Sequence, residues 1–277
     1  MSYICYNGII QKAAQPVFTA DNRGYRYGDG FFETIRVHLG RIPLQEFHRA
    51  RIEQSLQLLQ YEAPTEPIHA IFDHILQLCR INHCETDARV RLSFSNGAGG
   101  IFQPNTPMEY LIEATPFQSP PTGLNTKGLH IGICPVAKKT ADAYSNLKSA
   151  NCLIYRVAAD FAIRNLWDDA LVLNQQHHII ETTIANIFCI REGTLFTPPL
   201  ASGCVSGVMR ASVLLNAPSA ALQIVEKECS TEELLLADEV FITNALRGIQ
   251  WVKQFAHKEY PNLVTSEIYR KLIEPLF

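Results

Sequence analysis

Lys148 stands in Ser145-Asn146-Leu147-Lys148-Ser149-Ala150-Asn151, directly before an alanine-rich stretch of helical spacing. Small neighbours leave such an amine partly out of water, which lowers its pKa and frees its lone pair to attack a carbonyl. Glu181 follows Ile179-Ile180 and precedes Thr182-Thr183-Ile184-Ala185-Asn186-Ile187-Phe188. That places a carboxylate at a turn between two strands, where a fold can aim it inward at a protonated ring nitrogen. Gly207-Val208-Met209-Arg210 opens a helical run through Leu215. Unpaired N–H groups at a helix start, with a glycine easing approach, make an anion site. Thr243-Asn244-Ala245-Leu246, just after the strand-like Glu239 to Ile242, offers a second cluster of amides. Arg51, in His48-Arg49-Ala50-Arg51, adds a guanidinium able to grip a phosphate through two parallel hydrogen bonds. Taken singly, each is an ordinary feature, since most lysines and carboxylates are simply solvated.

Arg91, on a strand beside a glycine-rich run, is the first choice for clamping a substrate carboxylate. Arg26, Arg247, Tyr25, Tyr27 and Tyr110 are further candidates for orienting a substrate or donating a hydrogen bond. Asn96-Gly97-Ala98-Gly99-Gly100 does not fit GxGxxG and has no clear βαβ unit around it, which disfavours dinucleotide binding. It reads equally as a loop over a site and as a surface turn.

These residues need elements to position them. Tyr3 to Tyr6, Phe31 to Val37, Ala88 to Ser95 and Tyr110 to Ala114 are expected as strands. Apolar residues at Leu44, Phe47, Ile52, Leu56 and Leu59 keep helical spacing, and a second helix is expected from Pro67 to about Cys79. Phe117 to Gly123 reads FQSPPTG, in which proline and glycine break both helix and central strand. A linker at 117–123 therefore separates a domain at 1–116 from one at 124–277. Beyond it, Leu129 to Val136, Ala170 to Asn174, Ile187 to Arg191 and Glu239 to Thr243 look like strands. Helices are expected at Asn151 to Arg164, Met209 to Leu215, Thr231 to Leu236 and Ser266 to Leu272. Both halves thus mix α and β without a regular βαβ beat.

The bulk numbers bound the rest. The chain has 277 residues, enough for two cores, with 47% hydrophobic and 18% charged residues. A formal charge of -3 gathers neither nucleic acid nor an anionic membrane. No run approaches the roughly 20 apolar residues of a membrane span, and the start, MSYICYNGIIQKAAQ, does not read as a signal peptide. Eight cysteines without a CxxC pair are expected as reduced, mostly buried thiols of a cytoplasmic protein, with no metal site.

Set in order, several segments resemble the class IV aminotransferase family across nearly the whole chain. They are Arg23-Gly24-Tyr25-Arg26-Tyr27-Gly28-Asp29-Gly30-Phe31-Phe32-Glu33, His48 with Arg51, and Leu147-Lys148-Ser149 with Asn151. Glu181 with Asn186-Ile187-Phe188, Thr197-Pro198-Pro199, Gly207-Val208-Met209-Arg210 and Asp238-Glu239-Val240-Phe241 complete the set. The resemblance implies a two-domain, mixed α/β fold of type IV, like that of D-amino-acid aminotransferase, and pyridoxal 5'-phosphate as cofactor. It implies that Lys148 is the Schiff-base lysine and Glu181 the partner of the pyridine nitrogen. Arg51, the amides of Val208, Met209 and Ala245, and the adjoining Asn244 are implied to bind the cofactor, while Arg210 is structural. It also implies a homodimer acting on a small, amino-acid-like substrate.

Three activities share that scaffold: branched-chain aminotransferase, D-amino-acid aminotransferase and aminodeoxychorismate lyase. Asn244-Ala245-Leu246 after the strand, and Met209 where aminotransferases usually carry threonine, resemble the lyases. Glu181-Thr182 lacks the glycine that typically follows this glutamate in branched-chain enzymes. Phe32 replaces a tyrosine typical of the D-amino-acid enzymes and joins Arg91 and Tyr27 as an expected substrate contact. Glu33 is the one departure, being common in the aminotransferases. The lyase is the expected activity and an aminotransferase the alternative.

Overall fold

The computed structural model describes residues 2–118, 123–220 and 223–277. By its internal contacts the chain forms two compact units, Met1–Ser119 with Leu147–Asn151, and Pro120–Asn146 with Cys152–Phe277. Of the expected linker, residues 119–122 lie outside the described residues.

The first unit begins with β1 (Tyr3–Tyr6), β2 (Ile9–Lys12) and the short helix α1 (Arg23–Tyr27). It continues with β3 (Gly30–His38), α2 (Gln45–Leu59), α3 (Ile68–Ile81), β4 (Asp87–Ser95) and β5 (Glu109–Pro116). The strands make one sheet in the order β2-β1-β5-β4-β3, antiparallel throughout. Strict alternation along β4 buries Ala88, Val90, Leu92 and Phe94 and leaves Arg89, Arg91 and Ser93 on the opposite face. The buried row packs with Phe31, Ile35 and Val37 of β3 against Ile52 and Leu56 of α2 and Ile71, Phe72, Ile75 and Leu78 of α3. On α3 those residues recur at helical spacing, so one stripe of the helix covers the sheet.

β3 lies at the end of the strand order, and the stretch around Lys148 covers it. Ser149 bridges Phe31 in antiparallel fashion, Phe32 N donates to Lys148 O at 3.0 Å, and Ala150 N donates to Gly30 O at 3.0 Å. Residues 147–151 therefore belong with the first unit, although the residues on either side of them in sequence belong with the second.

The second unit holds β6 (Leu129–Lys139), α4 (Leu153–Arg164), β7 (Asp169–Asn174), β8 (Ile179–Thr182), β9 (Asn186–Arg191) and β10 (Thr194–Thr197). After these come α5 (Val208–Asn216), β11 (Gln223–Glu226), α6 (Thr231–Leu236), β12 (Glu239–Asn244), β13 (Gly248–Phe255) and α7 (Leu263–Ile268). The sheet runs β11-β10-β9-β12-β13-β6-β7-β8 and closes on itself where Glu181 of β8 pairs with Asn186 of β9. Parallel pairs (β13 with β6, β6 with β7, β10 with β11) mix with antiparallel ones, in keeping with the absent βαβ beat. Ala158 and Ala162 of α4 pack against Ala170 and Val172 of β7, small side chains that let the helix approach the strand. Ile187, Val240, Ile242, Val252 and Phe255 form the second core of the unit.

The expected elements are present, with ends shifted by a residue or two in most cases. Three differences are found. The strands β2, β8, β10 and β11 are four residues each, too short to show a full alternating pattern. The longer β13 also lies outside the expectations; its run GIQWVKQF has no clean alternation to betray it. The last helix starts three residues early, at Leu263, and passes into a π-helical turn at Tyr269–Ile273. All eight cysteines are free, and all but Cys152 are buried. No helix among the described residues is long and apolar enough to cross a membrane, and no cluster among them has the makings of a metal site.

Candidate active site

In the first unit, pairing with β3 sets the direction of Lys148. Its backbone lies opposite Phe32, and side chains opposite one another share a face of the sheet. The amine sits 4.6 Å from the centre of the Phe32 ring. Arg91, diagonal to Phe32 on β4, lays its guanidinium 3.9 Å from the same ring and donates from Nε to Ser93 Oγ at 3.1 Å. The structure thus brings Lys148, Phe32 and Arg91 together. Gly28 ends α1 with φ of 65°, and a Cβ there would stand 2.4 Å from Asn151 Oδ1, so glycine alone allows the Lys148 segment to lie so near.

Of the other expected substrate contacts, Tyr110 is elsewhere. Tyr110 is buried on the helix-covered face, in the core with Phe94, and its hydroxyl bonds Glu66 Oε2 at 2.7 Å. That placement corrects the expectation of an orienting hydroxyl: the register of β5 turns Tyr110 away from the face carrying Lys148. Tyr25 and Tyr27 remain exposed on α1, and Arg26 donates to Ala20 O.

Arg51 faces the other side of β3. Its Nε donates to Glu33 Oε1 at 2.7 Å and its Nη2 to Glu33 Oε2, while His48 Nδ1 lies 2.7 Å from Oε2. All three residues are buried. Burial alone would push the Glu33 carboxyl up; Arg51, with His48 beside it, overcomes this and holds it at about 2. Burial also lowers His48, despite the opposing pull of Glu33. Glu33 therefore anchors Arg51.

In the second unit, Glu181 is buried near the end of β8, before the hairpin into β9. Its Oε1 accepts from Lys139 Nζ at 2.9 Å and Tyr155 Oη at 2.8 Å, and its Oε2 from Val205 N at 2.9 Å. Lys139 Nζ also donates to Tyr155 Oη at 2.7 Å, closing a triangle. Burial first, and the Glu181 charge second, push the Tyr155 phenol far above its ordinary value and keep it a donor. Sequence reasoning missed Lys139 and Tyr155. Neither carries a local signal, because β6 and α4 meet β8 only in the folded unit.

Glu181, Asn186 and Thr243 form one row across three neighbouring strands. Asn186 Nδ2 donates to Val205 O at 2.9 Å, holding the loop that leads into α5. Gly207 precedes that helix, and a Cβ on it would stand 1.9 Å from Asn186 Oδ1. No side chain caps α5, so the amides of Val208 and Met209 in its first turn have no partner within the helix. Thr243 Oγ1 is buried without a hydrogen-bond partner among the described residues. Asn244 uses its side-chain oxygen to accept from Leu246 N and Arg247 N, shaping the turn that contains Ala245. Arg210 is buried and ties Pro198 O to Glu226, a bracing role rather than a chemical one.

A family described as "Amino-transferase class IV" matches residues 30–255. The chain belongs to the class IV aminotransferase family. Among curated relatives it is similar to an aminodeoxychorismate lyase of Vibrio harveyi, 29% identical over 82% of this chain and 83% of that protein. It is also similar to a putative branched-chain-amino-acid aminotransferase of Methanocaldococcus jannaschii, 28% identical over 98% of this chain and 94% of that one. Among solved structures, a branched-chain aminotransferase from Thermoproteus uzoniensis superposes with a TM-score of 0.89 at 22% identity, covering 99% of this chain and 94% of its own. The 4-amino-4-deoxychorismate lyase of Pseudomonas aeruginosa gives 0.82 at 26% identity, covering 99% and 97%. The mixed α/β fold is that of the family, and the protein is an enzyme whose cofactor is pyridoxal 5'-phosphate.

The residues present fit that cofactor. An uncapped helix start beside a glycine, with a buried hydroxyl lacking a partner, suits a phosphate. A buried carboxylate suits a protonated ring nitrogen, and a lysine on an apolar ring suits covalent attachment.

Proposed function

We propose that the enzyme is an aminodeoxychorismate lyase, which removes pyruvate from 4-amino-4-deoxychorismate and leaves 4-aminobenzoate. The observation that carries this reading is the group beside Lys148: a phenyl ring without a hydroxyl, Phe32, with the Arg91 guanidinium stacked on it. A flat ring bearing a carboxylate suits that pair, since the phenyl face accepts a ring and the guanidinium grips an anion. Asn244-Ala245-Leu246 and Met209 point the same way. Glu33, the residue that favours an aminotransferase, faces α2 and anchors Arg51, so it does not choose the substrate.

When bound, the cofactor supplies an electron sink for a carbanion next to the substrate nitrogen. Lys148 is the residue proposed to hold it covalently. Its amine would take the proton from the carbon bearing the substrate's amino group. The bond from the neighbouring ring carbon to the enolpyruvyl oxygen would then break, the enolpyruvate set free would become pyruvate on taking back the proton held by Lys148, and the ring would become aromatic. Glu181 keeps a negative charge at the ring nitrogen. Arg51 and the amides of Val208, Met209 and Ala245 hold the phosphate, and Thr243 Oγ1 adds a donor that sequence reasoning did not include. Arg91 and Phe32 orient the substrate. We read the enzyme as a homodimer, and its eight free cysteines suit the reducing cytoplasm.

The second reading is an aminotransferase, supported by the near full-length similarity to the putative branched-chain enzyme. The test is release of pyruvate and 4-aminobenzoate from aminodeoxychorismate by the cofactor-loaded protein. Steady release of both in equal amounts supports the lyase. No release, with amino transfer to 2-oxoglutarate from a panel of L- and D-amino acids, replaces it with the aminotransferase.

A further inference from the structure

Glu181 does not stand alone in its unit. A lysine ammonium lies 2.9 Å from the carboxylate, with both side chains largely shielded from water: 12% exposed for Lys139 and 4% for Glu181. Among the described residues, the remaining groups around the carboxylate add no second charge of either sign at hydrogen-bond distance. They are the Tyr155 hydroxyl, a neutral donor, and the Val205 amide. The nearby Cys204 thiol is pushed up to about 12, by burial first and by the charge of Glu181 second, so it stays neutral as well. Lys139 is thus the cation that balances Glu181 before any ligand arrives.

A second cation brought to Glu181 must share it. Two like charges on one carboxylate in a poorly solvated place repel, and the group that can shed its proton more easily does so. We propose that Lys139 is a positioning residue that divides the charge of Glu181, leaving the cofactor's ring nitrogen only partly protonated. The proposal rests on the reading of Glu181 as the partner of that nitrogen. Its consequence is a weaker electron sink than an unshared carboxylate would give. Tyr155 supports the arrangement by bonding both partners, which fixes the ammonium against Oε1 and leaves Oε2 to the Val205 amide.

The experiment uses the holoenzyme loaded with pyridoxal phosphate labelled with nitrogen-15 in the ring, read by solid-state NMR. The wild-type ring signal is expected between the protonated and unprotonated positions. Lys139→Gln removes the competing charge and moves the signal towards the protonated position; Lys139→Arg, which keeps the charge, returns it to the wild-type value. A wild-type signal already at the protonated position, or one that Lys139→Gln leaves unmoved, overturns the proposal. Lys139→Met provides the same neutralisation with a stem of similar length. Loss of the cofactor by both neutral variants assigns Lys139 to structure alone and also overturns it. Glu181→Gln is expected to move the signal towards the unprotonated position. If that variant leaves it unmoved, the reading of Glu181 as the nitrogen's partner fails, which is a separate result from failure of the lysine's role.

Discussion

Glu33→Gln tests the buried group formed by Glu33, Arg51 and His48. The substitution keeps the shape of the side chain and removes its charge, taking from the Arg51 guanidinium, 8% exposed, the carboxylate it is paired with. Breaking one side of a buried pair costs about 3–5 kcal/mol. The depression of the Glu33 carboxyl points to the same scale: held at about 2 by Arg51 and His48 against an ordinary 4.5, it corresponds to roughly 3 kcal/mol at 1.36 kcal/mol per unit. The folded-state value is depressed, so this stability is fully present above pH 4.5 and is lost as the pH falls towards 2. Both tryptophans, Trp167 and Trp251, lie in the other unit, so fluorescence is a poor reporter. Hydrogen exchange of the β3 and α2 amides is the better assay. At pH 7 their opening free energy is expected to fall by about 3 kcal/mol in the variant. The gap between wild type and variant should close towards pH 2. A difference below about 1 kcal/mol at pH 7, the value typical of a surface pair, would refute the reasoning, as would a gap that ignores pH.

Other expectations concern the cofactor and the reaction. Lys148→Ala is expected to abolish turnover while the fold persists; activity near the wild-type level, measured as pyruvate release, removes Lys148 from the chemistry. Thr243→Val replaces a buried hydroxyl that has no partner among the described residues, so stability should hold or rise while cofactor affinity falls by about 1 kcal/mol. Equilibrium dialysis showing unchanged affinity counts against its phosphate role. Gly207→Ala forces a Cβ against Asn186 Oδ1, displacing the loop before α5, and should weaken cofactor binding at least tenfold, about 1.4 kcal/mol. Arg51→Ala should weaken cofactor retention by about 2–3 kcal/mol. It also strips Glu33 of one of its two partners, leaving His48, so affinity has to be measured on protein shown to be folded.

Much of the scaffold is legible in the chain because it rests on local periodicity. The helical spacing on α3 and the alternation along β4 each name a core face without reference to anything distant. The identities of Lys148, Glu181 and Gly207 are equally visible, since residue type and immediate neighbours carry them. Family membership follows from the same motifs in their order. What the chain could not show depends on pairing across long separations. That Lys148 shares a face with Phe32 comes from an antiparallel bridge between Ser149 and Phe31. That Tyr110 enters the core, though its hydroxyl suits a site, comes from the register of β5 against β4. One residue of slip would have reversed it, because side chains alternate between the two faces of a strand. Lys139 and Tyr155 reach Glu181 from β6 and α4, and Asn186 meets Glu181 only where the sheet closes. Residue types and spacing thus specify which groups are available for chemistry. Register and closure decide which of them touch, because those are properties of paired strands and no single strand contains them.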